Sequence, residues 1–289
     1  MTTGQDAAPL QATTSARTAA LLAMLDPTSS GMTVFDLARP MRNGMPQSPN
    51  HPEFRHALTR RHGDAVRADG GSAAADLLVT GAHVGTHIDA LGHVSHCGQL
   101  HGGADAAAAQ VGGSFVDHGI HTTPPMVCRG VLLDVPAACG VAAFAGGYEI
   151  TVDDLVRAVE RQGTPLRPGD VAIVRSGWGR HWDDGAPFLG KETGVPGVGE
   201  AGAIWLADHG IRATGADTIA YECLPAGAGH ALLPAHRVLL VERGINIIET
   251  MALEELAAGG VHEFLFVCAP LPLYGATGSP VRPLAVVLS

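Results

Sequence analysis

The sequence predicts an α/β fold, organised as one domain over residues 32–289 behind an N-terminal extension, residues 1–31. Hydrophobic residues make up 46% of the 289 and charged residues 16%, enough to bury a full-sized core. Short apolar runs of buried-strand character alternate with stretches of helical period. Neither repeats nor low-complexity linkers interrupt that alternation.

In the extension, "TAALLAML" (18–25) predicts a short helix capped by Ser15 and stopped at Asp26-Pro27, with no cleavage site of a signal peptide behind it. "MTVFDLARPM" (32–41) predicts a strand running into a proline-rich loop, 45–54. "DLLVTGAH" (76–83) predicts a strand that delivers a histidine cluster, and a Gly/Ala-rich loop covers 98–114. "RGVLLDV" (129–135) is nearly continuous in apolar residues, as a buried strand is. "ITVDDLVRAVERQG" (150–163) predicts a helix: Thr151 and Asp154 form a capping pair, Leu155, Val156 and Val159 share a face, and Gly163 ends it. "GDVAIVRSGW" (169–178) is a second buried strand, "GEAGAIWLADHG" (199–210) a helix stopped by Gly210, and "RATGADT" (212–218) a strand end. "HRVLLVERGINIIET" (236–250) holds two apolar runs around a glycine turn, and strands are expected in 263–273 and 282–288.

The net charge of −10, with 18 basic against 28 acidic residues and Lys191 the single lysine, argues against a nucleic-acid surface. No apolar run approaches the roughly 18–20 residues of a membrane helix. Five cysteines without a CxxC pair point to a reducing compartment, so a cytoplasmic location is expected.

"HVGTHIDALGH" (83–93) carries His83, His87, Asp89 and His93 in one short stretch. In an extended chain His83, Gly85, His87 and Asp89 share a face. A fully stretched strand would still separate His83 from His87 by roughly 13 Å, whereas ligands of one ion need bonds of about 2 Å. The chain must therefore bend, and Gly85 is where bending is cheapest. A helix would bring the two imidazoles together but turn Asp89 away. Two imidazoles and a carboxylate suit Zn or Mn and leave positions open for water or substrate. His93 is either a further ligand or a general base, because imidazole titrates near neutrality. A Cys97 nucleophile is disfavoured by the lack of an oxyanion-type glycine motif around it, and His96 and His101 are expected as loop bystanders.

This stretch resembles the signature H-x-G-T-H-x-D-x-P-x-H of the cyclase family of metal-dependent hydrolases. That family includes kynurenine formamidase, isatin hydrolase, trans-dienelactone hydrolase and enzymes described as polyketide cyclases. His83, Gly85, Thr86, His87, Asp89 and His93 match, and Leu91 stands where many members carry Pro. "FDLARPM", "RGVLLDV", "VRSGW", "PGVGEAGAIWLADHGI", "GADT", "HRVLLVERGINIIE" and "PVRPLAVV" are similar to its other blocks in order, so the likeness spans 32–289. The resemblance implies a swivelling β/β/α fold, with a central mixed, barrel-like sheet and flanking helices. It also extends the ligand set to His236 and Glu249; taken alone, a Glu closing the run "INIIE" fits a solvated strand end.

The chemistry that follows is a hydrolase opening an amide, lactam, imide or lactone with an ion that acidifies water and polarises the carbonyl. His93 would carry a proton to the leaving group. One or two divalent ions, Zn or Mn, are expected per subunit, the second bound by His236 and Glu249. Asp217 is either a partner of a ligand histidine or a strand-end turn residue. Trp178 and the loops 45–54 and 98–114 are expected as pocket walls. The rival classes are a polyketide-type cyclase or dehydratase using the ion as Lewis acid, and a metal-binding protein without catalysis. The family's habit of assembly implies a homodimer or homotetramer acting on a small molecule.

Overall fold

A computed structural model describes residues 31–288; the helix expected before Asp26 lies outside the described residues. Along the chain the strands are β1 (Met32–Asp36), β2 (Arg55–Arg60), β3 (Ala75–Val79), β4 (His87–Asp89), β5 (Gln110–Val111), β6 (Ser114–Phe115) and β7 (Met126–Asp134). They continue as β8 (Glu149–Ile150), β9 (Val171–Arg175), β10 (Gly197–Val198), β11 (Ala213–Ala216), β12 (Asn246–Glu249), β13 (Glu263–Cys268), β14 (Gly278–Pro280) and β15 (Leu284–Leu288). Nine of them form one curled mixed sheet in the order β1-β15-β13-β7-β9-β11-β12-β4-β14. The run β7-β9-β11-β12 is parallel and the flanks are antiparallel. This is the mixed sheet with flanking helices expected from the sequence.

The period-2 alternation of side chains explains why the middle of each central strand is largely apolar: both faces are covered. On one face Val131, Leu133, Ala172, Val174 and Ile247 pack with Leu155, Ala158, Ala203, Leu206 and Leu239, which come from helical segments. On the other, Leu132, Val171, Ile173 and Ile248 pack with Met251, Leu253, Leu256 and Phe266. The helix Val152–Gln162 starts with a reciprocal capping box between Thr151 and Asp154 and ends at Gly163 in the left-handed region, φ 64°. The second helix is Glu200–Asp208. Of the two runs around Gly244, the first winds as a π-helix, Arg237–Glu242, and the second is β12.

One expectation needs correction. The strand at 75–79 does not itself deliver the histidines. β3 pairs only with β2, outside the main sheet, and Leu77, Leu78 and Val79 are exposed. Its apolar character mimics a core strand, but no element of the described chain covers it. The histidines follow in a separate turn that leads into β4. Among the described residues no helix is long and apolar enough to cross a membrane.

Candidate metal centre

The bend falls where the spacing required it. Gly85 has φ 68°, a left-handed conformation that glycine adopts without steric cost. The rings of His83 and His87 come to 5.3 Å between centroids. The Gly85 carbonyl bonds to His87 Nδ1 at 2.8 Å, which fixes the ring and directs Nε2 toward Asp89 Oδ1, 3.6 Å, and Glu249 Oε2, 3.4 Å. Thr86 Oγ1 donates to the Thr250 carbonyl at 2.7 Å and accepts from the Arg39 N–H at 2.9 Å, tying the bend to the chain leaving β12. Thr250 itself has φ 58°, a strained conformation for a β-branched residue, directly after Glu249.

Sheet register decides who meets whom. β12 and β4 are antiparallel with Glu249 opposite His87. β14 runs on the other side of β4 with Gly278 opposite Asp89. A Cβ on Gly278 would lie 2.7 Å from His83 Cε1, so that glycine makes room for the imidazole. Thr277 Oγ1 holds His83 Nε2 at 2.8 Å, and His83 Nδ1 bonds Asp89 Oδ1 at 2.7 Å.

His236 enters from the helical turn Pro234–His236. Its Nε2 faces Glu249 Oε1 at 3.2 Å and Asp89 Oδ2 at 3.6 Å. Glu222, a residue the sequence reading missed, positions it. Glu222 Oε1 accepts from the His236 backbone N–H at 3.0 Å and meets Nδ1 at 2.5 Å, while Oε2 accepts from the Ala235 N–H at 3.0 Å. Its sequence context, "YECLPAG", gives no sign of this, because an isolated acid in a loop usually faces water.

The ligand-type residues thus form two triads that share Asp89: His83, His87, Asp89 and Asp89, His236, Glu249, with the donor atoms of each triad within 4.8 Å of one another. Three buried carboxylates, those of Asp89, Glu222 and Glu249, stand together, and Asp89 Oδ2 has no hydrogen-bond partner among the described residues. Buried carboxylates without enough counter-charge are strongly unfavourable. The donor set and its negative excess therefore fit a divalent cation. The protonation pattern is consistent with that. Burial lowers His87 to about 4, leaving it neutral and able to ligate, although Asp89 pulls the other way. Burial lifts Glu249 to about 7 against the opposing pull of His236. At His236 burial works downward, but the surrounding carboxylates of Asp89, Glu222 and Glu249 outweigh it and raise the pKa well above the usual imidazole value.

His93 stacks on His83 with ring centroids 3.8 Å apart and lies 6.3 Å from His236. It lines a cavity of about 160 Å³ together with His83, His87, His236 and Glu249, walled further by Ser48, Asn50 and His51 of the proline-rich loop and by Ile219, His230 and Leu233. His51 and His230 were not singled out by sequence, because a lone loop histidine carries no spacing signal. The 98–114 stretch and Trp178 contribute no lining residue to this cavity. The Trp178 indole N–H bonds the Phe188 carbonyl at 2.9 Å, and the ring sits in an apolar cluster with Val84 and Ile219, behind the cavity wall. Asp217 accepts from Ser176 N, Gly177 N and Gly179 N at 2.9, 2.9 and 3.2 Å and from Ser176 Oγ at 2.7 Å. It thus fastens the turn after β9, and its described hydrogen bonds reach no ligand histidine.

Residues 35–223 match the cyclase family model, a span that ends before His236 and Glu249. The chain is 26% identical to isatin hydrolase of Roseibium aggregatum, over 76% of this chain and 77% of that protein. It is 23% identical to kynurenine formamidase of Bacillus cytotoxicus, over 86% of this chain and 95% of that one. A solved structure described as a novel cyclase superposes with a TM-score of 0.79 at 30% identity, covering 89% of each chain.

Proposed function

The chain belongs to the cyclase family, and we propose that it is a metal-dependent hydrolase that opens the carbonyl of an amide, lactam, imide or lactone. The observation that carries this reading is the pair of buried triads sharing Asp89 at the floor of a small cavity. The similarity to an isatin hydrolase and a kynurenine formamidase supports C–N bond cleavage in particular.

His83, His87 and Asp89 would hold one ion, Zn or Mn, and Asp89, His236 and Glu249 a second if two are bound. When bound, the metal supplies Lewis acidity, which acidifies water and polarises a carbonyl. The protein's own residues do the rest. Gly85, Thr277 and Glu222 fix the orientation of the three imidazoles, so little reorganisation accompanies reaction. His93 lines the same cavity. Burial lowers it to about 3 against the pull of Asp89, so it is neutral before reaction, and it is its place in the cavity that suits it to relay a proton from water to the departing nitrogen or oxygen. The polar cavity wall from Ser48, Asn50 and His51 orients the substrate.

We further propose that residues 32–289 act as one domain in the cytoplasm and that the protein assembles as a homodimer or homotetramer. The exposed apolar side chains of the β2–β3 ribbon, Leu58, Leu77, Leu78 and Val79, support self-association. A mass near that of the 29.6 kDa chain in light scattering would refute it.

The decisive experiment is metal analysis coupled to a panel of formamides, lactams, imides and lactones. Metal-dependent release of the ring-opened or deformylated acid is the expected result. A metal-loaded protein that opens none of them, yet cyclises or dehydrates a polyketone, would replace the hydrolase with the Lewis-acid cyclase that the name of its structural neighbour suggests.

A further inference from the structure

The cavity at the triads, about 160 Å³, is smaller than the roughly 300–1,000 Å³ of pockets that enclose a medium-sized ligand. A second cavity of about 680 Å³ lies directly outside it. Asn50 and His230 line both, and their side chains meet at 3.4 Å, a long hydrogen bond between two loop residues. The two cavities therefore adjoin, and this pair stands between them as a weak partition.

The outer cavity is built to receive apolar groups. Pro49, Leu189, Leu224, Pro225, Ala226 and Ala228 form much of its wall. The two loops that shape it are held together by backbone bonds: Val195 N to the Leu224 carbonyl at 2.9 Å, Leu224 N to the Val195 carbonyl at 3.0 Å, and Gly227 N to the Lys191 carbonyl at 3.2 Å. A cavity whose walls are pre-tied loses little order when filled. Lys191 and Glu192 are adjacent on its lining and both exposed. Their opposite charges leave no net attraction for an ionic group.

We propose that the outer cavity is a subsite for an uncharged, apolar arm of the substrate, whose reacting carbonyl lies at the triads. The substrate class is accordingly an amide or lactone bearing an extended alkyl or aryl substituent. This rests on the hydrolase reading and narrows it.

The test compares formanilide with 4-hexylformanilide on the metal-loaded full chain. Each methylene taken fully out of water is worth roughly fourfold in affinity, so even a partly sheltered hexyl group should raise kcat/KM by at least about tenfold. Ala226 and Ala228 are exposed residues on the cavity wall, so a large side chain there fills the space without entering the core. Ala228→Trp and, independently, Ala226→Trp should bring the hexyl-to-compact ratio of kcat/KM close to one. Equal kcat/KM for the two compounds in the wild type overturns the subsite and leaves the hydrolase standing. A hexyl preference that survives both substitutions overturns it too. If the Trp variants change the mass in solution and not the ratio, a second copy occupies the cavity and the proposal fails. Turnover of neither compound, nor of any panel member, overturns the hydrolase reading and the subsite with it.

Discussion

Glu222→Gln isolates what a residue behind the ligands contributes. The substitution keeps the shape of a buried side chain and removes its charge. Glu222 Oε1 serves both donors of His236, at 3.0 and 2.5 Å, and Oε2 serves the Ala235 N–H at 3.0 Å. A Gln carbonyl retains the first two bonds, but its amide nitrogen then faces the Ala235 N–H, donor to donor. One buried backbone donor is left unpaired, a cost of about 1–3 kcal/mol in stability. The His236 imidazole also loses the carboxylate that makes it a stronger base. Loss of such a partner weakens metal binding by about 10- to 100-fold, or about 1.4–2.8 kcal/mol. The sign of the pH effect follows. Burial works to lower His236, but Asp89, Glu222 and Glu249 together hold it well above its ordinary value. Without Glu222 its pKa falls, so a proton competes less with the ion at low pH. The affinity deficit is therefore largest at high pH, and the pH midpoint of metal uptake moves down. Chelator-competition affinities for Mn and Zn across the imidazole range, with circular dichroism as the control for folding, read both effects. A folded Glu222→Gln protein whose affinity and pH midpoint equal those of the wild type would refute the reasoning.

Three further outcomes are expected. His83→Ala and Asp89→Ala should lose metal and activity together, whereas His93→Ala should keep its metal while kcat falls by roughly 10²–10⁴ with little change in KM; equal metal loss in all three would make His93 a ligand. Gly278→Ala should push the His83 ring, because the new Cβ would sit 2.7 Å from Cε1; a destabilisation of about 1–3 kcal/mol in denaturant melts is expected, accompanied by weaker metal binding, and a neutral result would show that the ring is free to shift. Metal uptake should release protons from the Glu249–His236 pair and not from His87, since burial raises Glu249 to about 7, His236 is held well above its ordinary value and burial lowers His87 to about 4; affinity then rises with pH through about 7 and goes on rising until His236 also gives up its proton, as calorimetry in buffers of different ionisation enthalpy would show, and uptake without proton release at mildly acid pH would contradict it.

The helix Val152–Gln162, its Thr151–Asp154 capping box and its Gly163 stop were legible in the sequence because each depends on residues within a few positions of one another. The buried strands β7 and β9 were legible for a similar reason: a strand covered on both faces has little freedom to include a polar residue. The bend at Gly85 also followed from local chain geometry, since two imidazoles cannot approach along a straight strand. His236 and Glu249 came into view through likeness to a family, and residues 236 and 249 by themselves gave no such signal. What brings them to Asp89 is the register of β12 against β4 and the placement of the turn at Pro234–His236. Glu222, His51 and His230 were invisible for that reason. The exposure of Leu77, Leu78 and Val79 and the position of Trp178 behind the cavity were likewise decided by the fold. Hydrophobic pattern records what a side chain prefers, and a sequence of this length fixes local geometry through contacts a few residues apart. Burial, and the meeting of side chains more than a hundred positions apart, depend on which elements come to lie against one another, and only the tertiary structure determines that.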